Sequence, residues 1–139
     1  MKLINLFKKL RQSQRGQTLV ELALILPILV VLLMSTIEFG RIFFTYLTVT
    51  HASREAARGT VIYTGKDDTF IRQKVEESAS WLIPADLVVE VTPSSPSSRT
   101  TGVPLTVAVS YPVELYTPVL SDILANPFTV RSQTTMRIE

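Results

Sequence analysis

The sequence contains no cysteine, a single histidine and only five glycines, and no acid precedes residue 21. Without cysteine there is no disulfide, Fe–S cluster, thiolate metal site or cysteine nucleophile, so any part outside the cytosol must be held together by packing alone. The glycines stand at 16, 40, 59, 65 and 102, too scattered for a phosphate-binding loop. His51 has no Asp, Glu or His around it at metal-ligand spacing and no motif marking it as a general base, so it reads as a polar surface group. Lys66-Asp67-Asp68 lacks the spacing and glycine of an EF-hand and reads as a solvated helix start. The serine-rich stretch near residue 95 has no nucleophile-elbow pattern. An enzyme is therefore the poorest class, and no cofactor or metal is expected.

What is present is apolar and unevenly charged. The 139 residues are 46% apolar and 19% charged, enough for one domain and an appendage. A mean hydropathy of +0.27 is high for so small a soluble protein. Lys2, Lys8, Lys9, Arg11 and Arg15 all precede the first acid, Glu21, and the remainder has nine basic and twelve acidic residues, a balance of −3. The basic excess is thus a short N-terminal patch, which excludes a uniformly basic nucleic-acid binder.

Leu22 to Ile37 is sixteen residues without a charge, and extending back to Gln17 makes twenty-one broken only by Glu21. As a helix the longer stretch covers about 30 Å, the thickness of a bilayer core. A chain this short has too little other material to surround a helix that is apolar on every side, so a membrane span is expected rather than a core helix. The basic residues before it place the N-terminus in the cytoplasm and residues 60–139 outside. A cleavable secretory signal is disfavoured, because the run is long and is followed by Glu38-Phe39-Gly40-Arg41 rather than small residues. Pro27 removes a helix donor and is expected to kink the span. Glu21 is costly in lipid, by a few kcal/mol, and such an acid usually marks a function unless it reaches the headgroups.

Arg15-Gly16-Gln17-Thr18-Leu19-Val20-Glu21 before an apolar helix resembles a type IV prepilin N-terminus. Together with Val20-Glu21-Leu22-Ala23-Leu24, Leu26-Pro27, Glu38-Phe39-Gly40-Arg41 and Ala52-Ser53-Arg54-Glu55-Ala56-Ala57-Arg58, it is similar to the TadE-like family, pseudopilins of the tight-adherence (Flp pilus) system. The resemblance covers roughly residues 15–60. Leu22 stands where Flp-type motifs commonly have Tyr. The resemblance implies cleavage between Gly16 and Gln17 by a prepilin peptidase, which makes Glu21 the fifth residue of the mature chain. Its carboxylate would then neutralise the new α-amine of a neighbouring subunit, since both groups are costly alone in hydrocarbon.

Beyond Ile37, Phe39, Ile42, Phe43, Tyr46, Leu47, Val49 and Thr50 recur at spacings of three and four, which predicts an amphipathic continuation of the helix. Glu38 and Arg41, three apart, are an expected pair at the outer interface, either a simple interfacial salt bridge or a subunit contact. Phe43, Phe44 and Tyr46 suit an aromatic belt. Gly59 is the expected C-cap, so one helix from about Gln17 to Arg58 would run about 60 Å. Asp67-Asp68-Thr69 opens a second helix with Phe70, Ile71, Val75, Ala79 and Leu82 on one face and Pro84 at its end. Trp81 is expected to bury against the sheet or the first helix. Strands are expected at 87–91, at 105–111 before Pro112, and at 128–138, with a helical turn at 118–124 and a loop at 93–102 of little burying capacity.

The resulting expectation is a membrane-anchored α+β protein: a basic leader (1–16), a transmembrane and extended helix (17–59), and a small outer head (60–139) with one further helix and about three antiparallel strands. The implied function is a minor pilin or pseudopilin of a tight-adherence pilus in the inner membrane. Its expected partners are lipid, other pilin or pseudopilin subunits, a prepilin peptidase and the inner-membrane assembly machinery, and not nucleic acid. The alternative is an uncleaved single-pass envelope protein that contacts that machinery. A host-binding adhesin would require recognition residues on the Ser95–Gly102 loop.

Overall fold

The computed structural model describes residues 14–62 and 67–139. Lys2, Lys8, Lys9 and Arg11 of the basic leader, and Lys66, lie outside the described residues. Helix α1 spans Gln14–Ile62, 49 residues, and continues through Pro27. Its hydroxyl residues turn back onto the preceding turn: Thr36 donates to the Leu32 carbonyl at 2.8 Å and Thr48 to that of Phe44 at 2.9 Å. That local bond satisfies a polar side chain without a tertiary partner, which is why such residues are tolerated in an apolar helix. By contacts the chain divides into two units, residues up to Ile37 and Glu38–Glu139.

The expected cap at Gly59 is not one. The helix runs on to Ile62, because Thr60 is fully buried and Val61 packs against the core. Burial at these positions outweighs the roughly 1 kcal/mol that an interior glycine costs relative to alanine. A β-carbon at Gly59 would lie 3.8 Å from the Phe70 ring and 3.9 Å from the Lys74 stem, ordinary contact distances. Gly59→Ala should therefore stabilise the head by about 0.5–1 kcal/mol. Thermal unfolding in micelles checks this, and a lowered midpoint would contradict it.

In the second unit, α1 is followed by α2 (Asp68–Ser78), β1 (Val88–Thr92), β2 (Pro104–Val113), the short α3 (Pro118–Ile123) and β3 (Phe128–Arg137). The strands form an antiparallel sheet in the order β1-β2-β3, with Val89 opposite Val109 and Val107 opposite Thr134. Alternation sends Leu105, Val107 and Val109 to one face. There they meet Val49, Ala52, Ala56 and Ala57 of α1, with Ile71 and Val75 of α2 closing the core. The alanines recur at helical spacing and are small, so the helix backbone can lie close to the sheet. Ser53 is also fully buried in this layer and is satisfied by the Thr134 hydroxyl at 3.0 Å. On the opposite face Arg131 reaches Glu90 at 2.8 Å across β2, an exposed pair of small energetic weight.

Two further expectations are corrected. Strand β2 does not stop before Pro112 but continues to Val113. Pairing with β1 ends at Ser110, so β2 is free on that side where the proline occurs. Trp81 is 84% exposed rather than buried, because α2 ends at Ser78 and the turn that follows directs Leu82 to the core instead. The serine-rich loop buries little, as expected: Ser94, Ser95, Ser97 and Ser98 are exposed, and the exception is Arg99. It makes a short 3-10 turn over Pro96–Ser98 and then seats the whole Arg99 side chain.

Candidate functional site

Gly16, Gln17, Glu21 and Pro27 all lie on the first half of α1. The apolar helix carrying them is the one helix among the described residues that is long and apolar enough to cross a membrane, and none of its most apolar window is buried within the protein. A soluble core helix would be covered, so this exposure argues for lipid around it. Glu21 is exposed and makes no hydrogen bond or ion pair among the described residues. A carboxylate placed in this way is open to a partner from outside the chain.

Glu38 and Arg41 form the other predicted pair, with Arg41 Nη1 3.0 Å from Glu38 Oε1. One turn of helix brings them together, as residues three apart share a face. The tertiary structure adds what their spacing does not contain. Glu38 is only 3% exposed. Its Oε2 accepts from the backbone amides of Tyr116 (3.1 Å) and Thr117 (3.0 Å) and from the Thr117 hydroxyl (2.8 Å). Arg41 Nη2 donates to the Glu114 carbonyl at 3.3 Å, and its guanidinium lies 4.7 Å from the centre of the Tyr116 ring. Asn126 completes the clamp by exchanging two hydrogen bonds with the Leu115 backbone, at 3.0 and 3.1 Å. The segment 114–117 is thereby fastened to the first turn of α1 after the apolar run. Burial pushes the Glu38 carboxyl upward, but the Thr117 hydroxyl, the two amides and the Arg41 charge together outweigh it and hold the group below its usual range.

Tyr116, Thr117 and Asn126 were not identified from the sequence. They stand 78 or more positions from Glu38. No local pattern marks them, since a backbone amide as recognition group has no residue signature. His51 is exposed, and no group of His, Cys, Asp or Glu able to hold a metal occurs among the described residues. Asp68, read as part of a solvated helix start, does begin the helix and is 59% exposed, and it also pairs with the buried Arg99 at 2.5 Å.

Residues 16–58 match the family model for TadE-like protein. This segment is TadE-like. No curated protein and no solved structure matches the chain. The TadE-like segment holds the apolar run, Glu21, the Glu38–Arg41 pair and the Ala52–Arg58 motif. In that motif Ala52, Ser53, Ala56 and Ala57 are buried while Arg54, Glu55 and Arg58 are exposed, so it is the surface on which the head is built.

Proposed function

We propose that the protein is a minor pilin or pseudopilin of a tight-adherence (Flp-type) pilus. In this reading it sits in the inner membrane with its N-terminus in the cytoplasm and residues 60–139 outside, and a prepilin peptidase removes the leader after Gly16. The observation that carries the reading is the TadE-like match over residues 16–58, on a helix whose apolar surface and Glu21 carboxylate are uncovered. The chemistry is coherent. Cleavage frees an α-amine on Gln17, and the Glu21 carboxylate of an adjacent subunit neutralises it in a medium where either charge alone is costly. That pairing sets the stagger between subunits, because misregistration leaves two charges in lipid. The partners are accordingly other pilin or pseudopilin subunits and the membrane assembly machinery. The work is assembly rather than catalysis.

Two measurements test this. Intact mass of the membrane-extracted protein should correspond to a chain beginning at Gln17, and retention of residues 1–16 would favour the uncleaved envelope protein instead. Glu21→Ala should leave membrane insertion unchanged but weaken subunit docking by about 2.5–3.5 kcal/mol, on the order of 100-fold, with a matching loss of pili. Normal pili from the variant would overturn the proposal.

A further inference from the structure

Two stretches of the head far apart in sequence expose large apolar side chains, and Trp81 and Ile83 of one and Tyr116 of the other meet at Arg41 of α1. Trp81 and Ile83 follow α2, and Tyr116, Val119 and Ile123 lie on and before α3, with Trp81 84%, Tyr116 71% and Ile123 73% exposed. Arg41 ties the two stretches together: Arg41, Trp81, Ile83 and Tyr116 line one cleft of about 470 Å³. Val119 and Ile123 stand four apart on α3 and so share a face. The position of this ridge along the chain is fixed by Glu38, which bonds the backbone of residues 116 and 117 and directly follows Ile37, the last residue of the apolar run.

We infer that this ridge is a docking surface for the zwitterionic headgroup layer of the bilayer, into which Trp81, Tyr116, Val119 and Ile123 insert. The inference rests on the reading of α1 as a membrane span. Tryptophan and tyrosine partition to the boundary between headgroups and acyl chains because each has an apolar body and a polar tip, and flanking aliphatic groups add buried area. Charge selects the kind of lipid. Among the described residues, Asp86, Glu114 and Asp122 are exposed charges on or beside these stretches, and the cation lining the cleft, Arg41, is paired with Glu38. No basic excess is left to draw anionic headgroups, so the attachment is apolar and insensitive to salt. Such a contact holds the head down on the bilayer while the chain is anchored, and extraction of a subunit into a filament must break it.

Trp81 is the only tryptophan, so its emission reports this surface without ambiguity. The full chain is reconstituted at one copy per phosphatidylcholine nanodisc, and co-elution with the discs first establishes anchoring. Trp81 should then be quenched by lipids brominated near the top of the acyl chains and shielded from aqueous acrylamide. Val119→Asp with Ile123→Asp, both on a helix with no buried residue, should leave the far-ultraviolet dichroism unchanged. The pair should shift the docked-to-undocked ratio at least about tenfold, roughly 1.4 kcal/mol. Discs containing anionic lipid should give no stronger quenching. Three results would each overturn the inference: Trp81 open to acrylamide and silent to brominated lipid, quenching that appears only with anionic lipid at low salt, or an unchanged signal in the double variant. Failure to co-elute with discs would instead remove the span on which the inference rests.

Discussion

Replacing Glu38 by alanine is expected to destabilise the head by about 3 kcal/mol. The carboxylate accepts three bonds from Tyr116 and Thr117 and one from Arg41, and Thr117 is itself buried. Removal leaves the two amides and the hydroxyl without an acceptor. The Arg41 side chain is 41% exposed and can rehydrate, so the lost charge pairing adds less than it would in a closed interior. Glu38→Gln should fall between wild type and alanine, since one amide oxygen replaces two carboxylate oxygens. The pH dependence has a definite sign. The folded carboxyl titrates below its ordinary value of 4.5, so its contribution is fully present above that value and disappears as pH falls through the lower folded value. Denaturant unfolding in micelles at neutral and acidic pH should show the gap between wild type and Glu38→Ala narrowing on acidification. A gap that widens in acid, or one below about 1 kcal/mol at neutral pH, would show that the clamp does not hold the head.

Arg99→Ala is expected to cost about 2–4 kcal/mol. The side chain is completely enclosed, with Nε donating to the Pro93 carbonyl at 2.9 Å and Nη2 reaching the Ser94 carbonyl at 3.4 Å and the Asp68 carboxylate at 2.5 Å. Alanine deprives those carbonyls of donors and leaves the volume of a guanidinium and its stem empty. Lysine should rescue little, because a single ammonium cannot reproduce a planar fork that bonds in several directions. Asp68→Asn supplies the contrast. Asp68 is 59% exposed, so its loss should cost less than about 1 kcal/mol. Chemical denaturation of the three variants checks the order. A cost for Asp68→Asn as large as that for Arg99→Ala would mean that the ion pair, not the loop carbonyls, is what Arg99 serves. The same enclosure bears on the Ser95–Gly102 loop, whose one long charged side chain is turned inward to hold the loop.

Much of this architecture is legible in a single sequence because the signals are local. An uncharged run of sixteen residues specifies a lipid-facing helix through composition alone. The spacing of Val49, Ala52, Ala56 and Ala57 marks the buried stripe of α1, and the alternation over Leu105–Val109 marks the inner face of β2. The same local signals mislead where packing competes with them. Gly59 carries the chemistry of a helix end, yet burial of Thr60 carries the helix past it. Trp81 is the largest apolar residue in its segment, yet a turn after Ser78 leaves it outside while Leu82 goes in.

Composition and periodicity alone specify a helix long and apolar enough to cross a membrane, the α+β succession of elements, and the place of Glu21 in an otherwise apolar run. Each of these depends on residues within a few positions of one another, where periodicity and transfer free energy act directly. That Glu38 clamps residues 116 and 117, that Arg99 is an interior residue, and that Trp81 lines a cleft with Tyr116 emerges only once the chain is folded. The reason is physical: each of these depends on groups brought together from distant parts of the chain, and backbone amides and carbonyls offer the same bonds whatever side chain they carry.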